Sequence, residues 1–556
     1  MLNGLLLGLA GAGALLVSLS ALRWLRWLRR VERSGVTMAP LPPAAGLMGH
    51  APQIAGRRFH RTLLQWERSL GPIFMLKAFT ARFVVVTDPR LVQQLLRGGD
   101  EVDKSLVTYS ALNPLISDKG HPSVFTASSR SPLWRLVRKG TALGFSSRCL
   151  RASFPDIQAV CGELLAQLQA AGPDTVLYMS ELLSRGTLDL IGRVGIQANL
   201  QAVQAFRPDG VAQGTQGDEM YRTLQLCVKE ADLRWTDPLR PLQLWKQEVR
   251  DGNAQYRRFQ AIMKRLLADI RARGPPAEED GSICAHLLRV RGEDGQPLPD
   301  DRVLPELATF ISAGMDTTAH TMAFTLYLIA RHPDVDSKLC AELEAAGLLA
   351  TPQAPQPRQV AWEDLSRLPY LTAVVKESMR MLPVGANGSA LEAKRDMQLG
   401  PYAIPAGTLL WLCMFVVHNS PRYWQDPGSF RPERFLDPGA EHVQPELAAA
   451  NEQGLPYAAP CAAAQDGTAG RAAGRGGGAA QPLRFFPFSQ GPRDCIGQSL
   501  ARVNITATLA TLLGRYRFHL APEAEGPGGM QDVLGLTLHP EGGLPMRAVP
   551  RVAQQA

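Results

Sequence analysis

The sequence predicts a mostly α-helical globular protein with a small β region, preceded by a membrane-spanning helix. Three observations point there. Apolar residues recur at helical spacing through Phe154 to Arg271, Pro305 to Arg331 and Leu365 to Leu382, and an apolar helix candidate runs from Ile496 to Leu513. Short β-rich runs bounded by turn residues lie near the two ends, at Ile73 to Leu76, Phe83 to Thr87 and Leu534 to Leu544. Residues 1–22 are apolar apart from Asn3, Ser18 and Ser20, long enough as a helix to cross a bilayer core of about 30 Å.

The 556 residues, 45% hydrophobic and 20% charged, can bury a large core. Eight cysteines are scattered with no C-x-x-C pair, which argues against a disulfide framework or a zinc site and suits a cytosol-facing domain. A formal charge of +8 permits contact with anionic membranes or acidic protein partners. No nucleic-acid motif accompanies that charge.

Arg23, Arg26, Arg29, Arg30 and Arg33 follow the apolar run at once, interleaved with Trp24 and Trp27. The positive-inside rule then places the downstream chain on the cytosolic side, with the tryptophans at the interface. A cleaved signal peptide would carry its charge before a shorter apolar run. An organellar transit peptide is the rival, because no acid occurs before Glu32. Residues 23–43 read as a basic linker that ends in a stiff proline-rich stretch, Ala39 to Pro43, and residues 44–556 as one domain.

Ser131-Pro132 opens a helix that carries Trp134 and Arg138 four apart, so an indole N–H and a guanidinium share one face and could meet one carboxylate. An ordinary amphipathic helix would show the same pair. The apolar run from Pro305 contains Ala313-Gly314-Met315-Asp316-Thr317-Thr318. A glycine in mid-helix costs about 1 kcal/mol, and an acid beside two threonines is costly in a buried span. Either a new helix is capped there or the polar residues have work to do; a Thr317 hydroxyl could bond back to the Ala313 carbonyl. Glu377 and Arg380 stand at i, i+3, the spacing of a surface ion pair. Residues 439–482 are alanine- and glycine-rich, read as a low-complexity, disordered insertion.

The chain is organised around Phe488-Ser489-Gln490-Gly491-Pro492-Arg493-Asp494-Cys495-Ile496-Gly497. Two glycines let the loop wrap tightly around one sulfur, and the following helix offers free N–H groups and its dipole, so a thiolate is the expected state. Arg493 could bind an anionic group on the same ligand. A cysteine merely buried before a helix is the plainer alternative.

The pattern Phe-x-x-Gly-x-Arg-x-Cys-x-Gly resembles the haem-binding signature of the cytochrome P450 family. The helices with Trp134 and Arg138, with Ala313 to Thr318, and with Glu377 and Arg380, and then Pro432 to Phe435, resemble further family motifs in the family's order. The resemblance implies a haem-thiolate fold around haem b, with Cys495 as the axial ligand. It implies that Trp134, Arg138, Phe488, Gly491, Arg493 and Gly497 hold the haem, and that Asp316 and Thr317 deliver protons to dioxygen. Phe310, Ala313 and Thr318 would line the substrate pocket, and residues 197–246 would form its lid. Glu377, Arg380 and Arg434 would form a buried charge cluster that holds the scaffold. One departure is that the family's propionate-binding basic residue is missing between Leu382 and Ala393, where Lys394 or Arg395 would have to substitute.

The implied function is insertion of one oxygen atom from O2 into a hydrophobic small molecule of the lipid, sterol, carotenoid or other terpenoid class. Electrons would come from NADPH through a cytochrome P450 reductase, or from ferredoxin in an organelle. The implied location is the endoplasmic reticulum membrane with a cytosolic catalytic domain, a plastid or mitochondrion being the alternative. A haem-thiolate isomerase or dehydratase acting on a hydroperoxide would not need the proton-delivering pair. A haem sensor or carrier would not need the oxygen-activating helix.

Overall fold

The computed structural model describes residues 22, 25–41, 46, 48–79, 81–211, 213–237, 239–444, 482–526 and 529–552. The candidate membrane span lies outside them except for Leu22. Among the described residues no helix is long and apolar enough to cross a membrane.

Past the arginine-rich stretch the chain is already part of the domain. Residues 25–32 are helical, Val31 is fully buried, and the Trp27 indole donates to the Ala406 carbonyl at 2.9 Å. Met38 bridges to Met75, so the residues before the proline-rich stretch join the sheet edge and do not hang free.

That sheet has five strands in the order Ile73–Ala78, Ala81–Val86, Leu409–Leu412, Ser389–Ala393 and Val102–Lys104. Ile73 pairs antiparallel with Val86, and Phe83 pairs parallel with Leu409. Ile73 to Leu76 and Phe83 to Val86 are continuous apolar runs, and Ile73 to Leu76 and Val84 to Val86 are buried throughout, as strands covered on both faces are. A C-terminal hairpin pairs Asp532–Leu534 with Leu538–Pro540.

The helical body supplies the rest. We label α1 Phe59–Leu70, α2 Pro132–Ala142, α3 Phe154–Ala171, α4 Met179–Leu190, α5 Gln216–Thr236, α6 Gln247–Ala272, α7 Asp300–Ala330, α8 Pro369–Met381 and α9 Gln498–Leu513. Their starts follow local chemistry: Ser131 caps α2 through the Trp134 N–H, Thr215 caps α5 through the Asp218 N–H, and proline opens α2, α3 and α8. Helix α7 is the central post. It is apolar on nearly every side, as a helix enclosed by others must be, and it packs against α4, α6, α8 and α9.

One of the two alternatives left open for the Gly314 to Thr318 stretch is settled here. The long run is one unbroken helix, Asp300–Ala330, with neither a break nor a new cap at Gly314 to Thr318. Gly314 has a packing reason: a Cβ there would sit 3.2 Å from the Ile191 side chain, on the turn that extends α4. The insertion lies outside the described residues between 445 and 481, and its ends are clasped by the Val443 N–H donating to the Pro482 carbonyl at 3.0 Å.

Candidate active site

The cysteine loop is shaped by one glycine above all. Gly491 has φ of +74°, and a Cβ there would come within 2.2 Å of the Leu96 carbonyl oxygen. Only glycine meets both conditions. Gly497 is less demanding, since its Cβ position lies 3.6 Å from the Phe145 ring. The loop closes by the Cys495 N–H donating to the Phe488 carbonyl at 2.8 Å, and α9 begins three residues after the cysteine.

Cys495 is accessible by surface area although protein surrounds it, because its sulfur opens onto an internal cavity of about 720 Å³. Burial pushes its thiol up, outweighing the Gly497 N–H and Arg138 that favour the thiolate. In the chain alone burial and the loop N–H thus pull the thiol in opposite directions, and a cation at the sulfur favours the thiolate. A single soft donor on a roomy, largely apolar cavity would fit the iron of a haem, for which the porphyrin brings the remaining donors itself.

Helix α7 forms the wall across the cavity. Phe310, Ala313, Asp316, Thr317 and Thr318 all line it. The Thr317 hydroxyl donates to the Ala313 carbonyl at 2.8 Å, the back-bond that the spacing suggested, and Thr321 and Thr325 repeat it one and two turns on. Asp316 is only 4% exposed. Burial raises its carboxyl to about 6, against the pull of hydrogen bonds from Gln225 and Ser184.

Cations gather at the cysteine side of the cavity. Arg493 donates to Ser129 Oγ at 2.8 Å and to the Val124 and Ala127 carbonyls, and lies 4.1 Å over the Trp134 ring. The Trp134 indole N–H also goes to Val124, at 3.1 Å, and Arg138 pairs with Asp494. Trp134, Arg138 and Arg493 thus reach the cavity together with backbone or acid partners of their own. Lys394 and Arg395 do not reach it; they pair with Glu392 at 3.0 Å and Glu101 at 3.2 Å. Lys104 lines the cavity instead, its ammonium over the Tyr109 and Phe125 rings and bonded to the Phe125 carbonyl. Nothing in the local sequence distinguished this lysine, because it lies at the end of a three-residue strand whose position only the sheet reveals.

Glu377, Arg380 and Arg434 meet away from the cavity. Arg380 binds Glu377 through two bonds of 2.8 and 2.9 Å with both side chains fully buried, and Arg434 adds a third at 3.0 Å. Arg380 also donates to the His418 and Pro427 carbonyls, which ties α8 to the segment ahead of the cysteine loop.

Similarity to known proteins agrees with this geometry. The sequence pattern of the cytochrome P450 family matches residues 39–545. The chain is 27% identical to flavonoid 3'-monooxygenase of Oryza sativa subsp. japonica over 93% of its own length and 92% of that protein's. It is 24% identical to the chloroplastic carotene epsilon-monooxygenase of Arabidopsis thaliana over 95% of its length and 89% of that protein's. It is 26% identical to cyclooctat-9-en-7-ol 5-monooxygenase of Streptomyces melanosporofaciens over 87% of its length and 90% of that protein's. With the cysteine loop and α7 lining one cavity, and with the family's pattern running through nearly the whole chain, this protein belongs to the cytochrome P450 family.

Proposed function

We propose that Cys495 is the axial thiolate of haem b in this monooxygenase and that Asp316 and Thr317 manage the protons the reaction consumes. The observation that carries the reading is that the Cys495 sulfur and the Ala313 to Thr318 face of α7 open on the same cavity. Bound haem supplies the chemistry that splits dioxygen, and a thiolate ligand favours O–O cleavage. The chain supplies the surroundings. Arg138, Arg493, Lys104 and Trp134 suit the carboxylates of the haem edge, with Phe488, Gly491 and Gly497 shaping the loop below. Asp316 can hold and release a proton near neutral pH because burial has brought its carboxyl to about 6. The Thr317 hydroxyl offers its lone pairs to the cavity while bonded to Ala313, and its proton when that bond opens.

The apolar wall formed by Phe310, Ala313, Ile116 and Val384 suits a hydrophobic substrate held away from water. Relatives named for a carotene, for cyclooctat-9-en-7-ol and for a sterol support the lipid, sterol, carotenoid or other terpenoid class, and the one named for a flavonoid supports a hydrophobic small molecule more broadly. Electrons come from NADPH through a flavin-carrying cytochrome P450 reductase, or through a ferredoxin if the chain enters an organelle. Attachment to a membrane is supported by the apolar residues 1–22 and by Leu239, Leu242, Leu244 and Trp245, which stand exposed together after α5. The endoplasmic reticulum fits this arrangement, and relatives named chloroplastic and mitochondrial keep those compartments as the alternative. A hydroperoxide isomerase would leave Asp316 and Thr317 without work.

Thr317→Ala tests the reading. The variant is expected to bind haem normally while product formed per NADPH falls several-fold and peroxide appears. Unchanged coupling would remove Thr317 from the proton-handling pair. Absorption shifts across fatty acids, sterols, carotenoids and other terpenoids would name the substrate class.

A further inference from the structure

Three polar side chains on α5 stand seven residues apart: Asp218, Gln225 and Asp232. Seven residues are close to two helical turns, so they form one stripe along a single face. Each reaches a different part of the body. Asp218 accepts from the fully buried Arg185 of α4 at 2.7 Å. Gln225 donates its amide N–H to Asp316 Oδ1 of α7 at 2.9 Å. Asp232 accepts from the Leu536 N–H of the C-terminal hairpin, close against Gly535, where no Cβ stands in its way. A helix resting only on apolar contacts could slide and roll; three polar contacts in register give it one seat.

The middle contact is unlike its neighbours because its partner is a titratable side chain that lines the cavity, whereas Leu536, which also lines it, gives Asp232 only its backbone N–H. Asp316 is held from two sides, by Ser184 of α4 and by Gln225 of α5. The α4 side is locked to α7, since the Thr187 hydroxyl donates to the Met315 carbonyl at 2.8 Å. The α5 side is held through the Gln225 amide, from a helix that reaches the cavity at Val228.

We propose that Gln225 is a positioning residue for Asp316: from α5 its donated N–H orients the Asp316 carboxyl for the proton transfer it performs at the cavity. This rests on the proton-handling reading of Asp316. A donated N–H stabilises the ionised carboxylate, and its loss leaves the acid in a dry site that favours the protonated form. The other titratable groups around Asp316 are Tyr221 and Asp232, both on α5. One turn along α7, His320 faces His539 of the hairpin, with ring centroids 5.7 Å apart. Removing Gln225 leaves all of these in place.

Gln225→Leu, Arg222→Ala and Asp316→Asn in the haem-loaded, membrane-bound chain with its reductase test the proposal. Gln225→Leu should move the midpoint of the pH profile of product per NADPH upward by about one pH unit, the shift expected when a hydrogen bond to a charged group is lost. Without turnover, the infrared band of the protonated carboxyl that Asp316→Asn removes should titrate higher by the same amount. Arg222→Ala removes bonds to Asp218 on the same helix and to the Gly210 carbonyl without touching Gln225 or Asp316, and should leave the midpoint unmoved. If Gln225→Leu changes only KM, or if Arg222→Ala moves the midpoint equally, Gln225 is merely structural. If Asp316→Asn leaves coupling intact, the reading of Asp316 fails and the proposal with it; if Asp316→Asn uncouples while Gln225→Leu moves neither midpoint, the proposal alone fails.

Discussion

At the scale of single residues, the costliest groups are buried charges, and each has a partner. Glu377 and Arg380 are fully buried and bonded twice. Removing one member leaves the other charge uncompensated, so Glu377→Leu is expected to cost about 3–5 kcal/mol, read as a drop in the urea midpoint and in haem retained. Asp532 is 2% exposed. Burial alone would raise its carboxyl, yet bonds from His60 and Arg61 hold it at about 2, against an ordinary 3.8. A depressed carboxyl contributes stability that is complete above its unfolded value and lost as pH falls through its folded value. Asp532→Asn should therefore cost about 2 kcal/mol at neutral pH, and the difference from the parent should vanish between pH 4 and 2 in acid titrations. Glu306 is the opposite case, raised to about 8 by burial with one backbone bond, from the Val124 N–H, opposing it. Its contribution is present below 4.5 and lost as pH climbs toward 8. Glu306→Gln keeps an acceptor for Val124 and should raise stability at pH 8 while leaving it unchanged at pH 4. These roles were legible unequally. The Glu-x-x-Arg spacing announced one pair, whereas Lys104, Glu306 and Asp532 acquire theirs from segments far away in the chain.

At the scale of elements, the signature loop and α7 were the most readable parts. Thr317 bonds to Ala313 as a hydroxyl four residues on should, and Phe310, Ala313 and Thr318 share its wall of the cavity. The continuity of α7 was only partly readable, because a glycine, an acid and two threonines together look like a boundary although the apolar pattern already runs before Gly314. What overrides propensity is tertiary: Ile191 fills the space beside Gly314, and the hydroxyls satisfy themselves on their own helix. The balance at Cys495 was not readable for a related reason, since a helix terminus three residues away cannot be weighed against desolvation without the cavity. The demanding glycine of the loop is Gly491. Gly491→Ala, facing positive φ and the Leu96 carbonyl at 2.2 Å, is expected to lose most bound haem, while Gly497→Ala keeps most of it; the haem-to-protein absorbance ratio reads both.

At the scale of the molecule, one helical body and a small sheet enclose a cavity between α7 and the cysteine loop, and residues 25–41 dock on that body before the sheet begins. Deleting residues 1–22 spares this docking and should release the protein from membranes on a flotation gradient, apart from what Leu239 to Trp245 retain. The central claim is that Cys495 ligates the iron. The absorption spectrum of the reduced carbon monoxide complex tests it most directly. The parent should show the red-shifted band of a thiolate-ligated haem, and Cys495→Ala, still folded, should lose it. Persistence of that band in the variant would contradict the assignment.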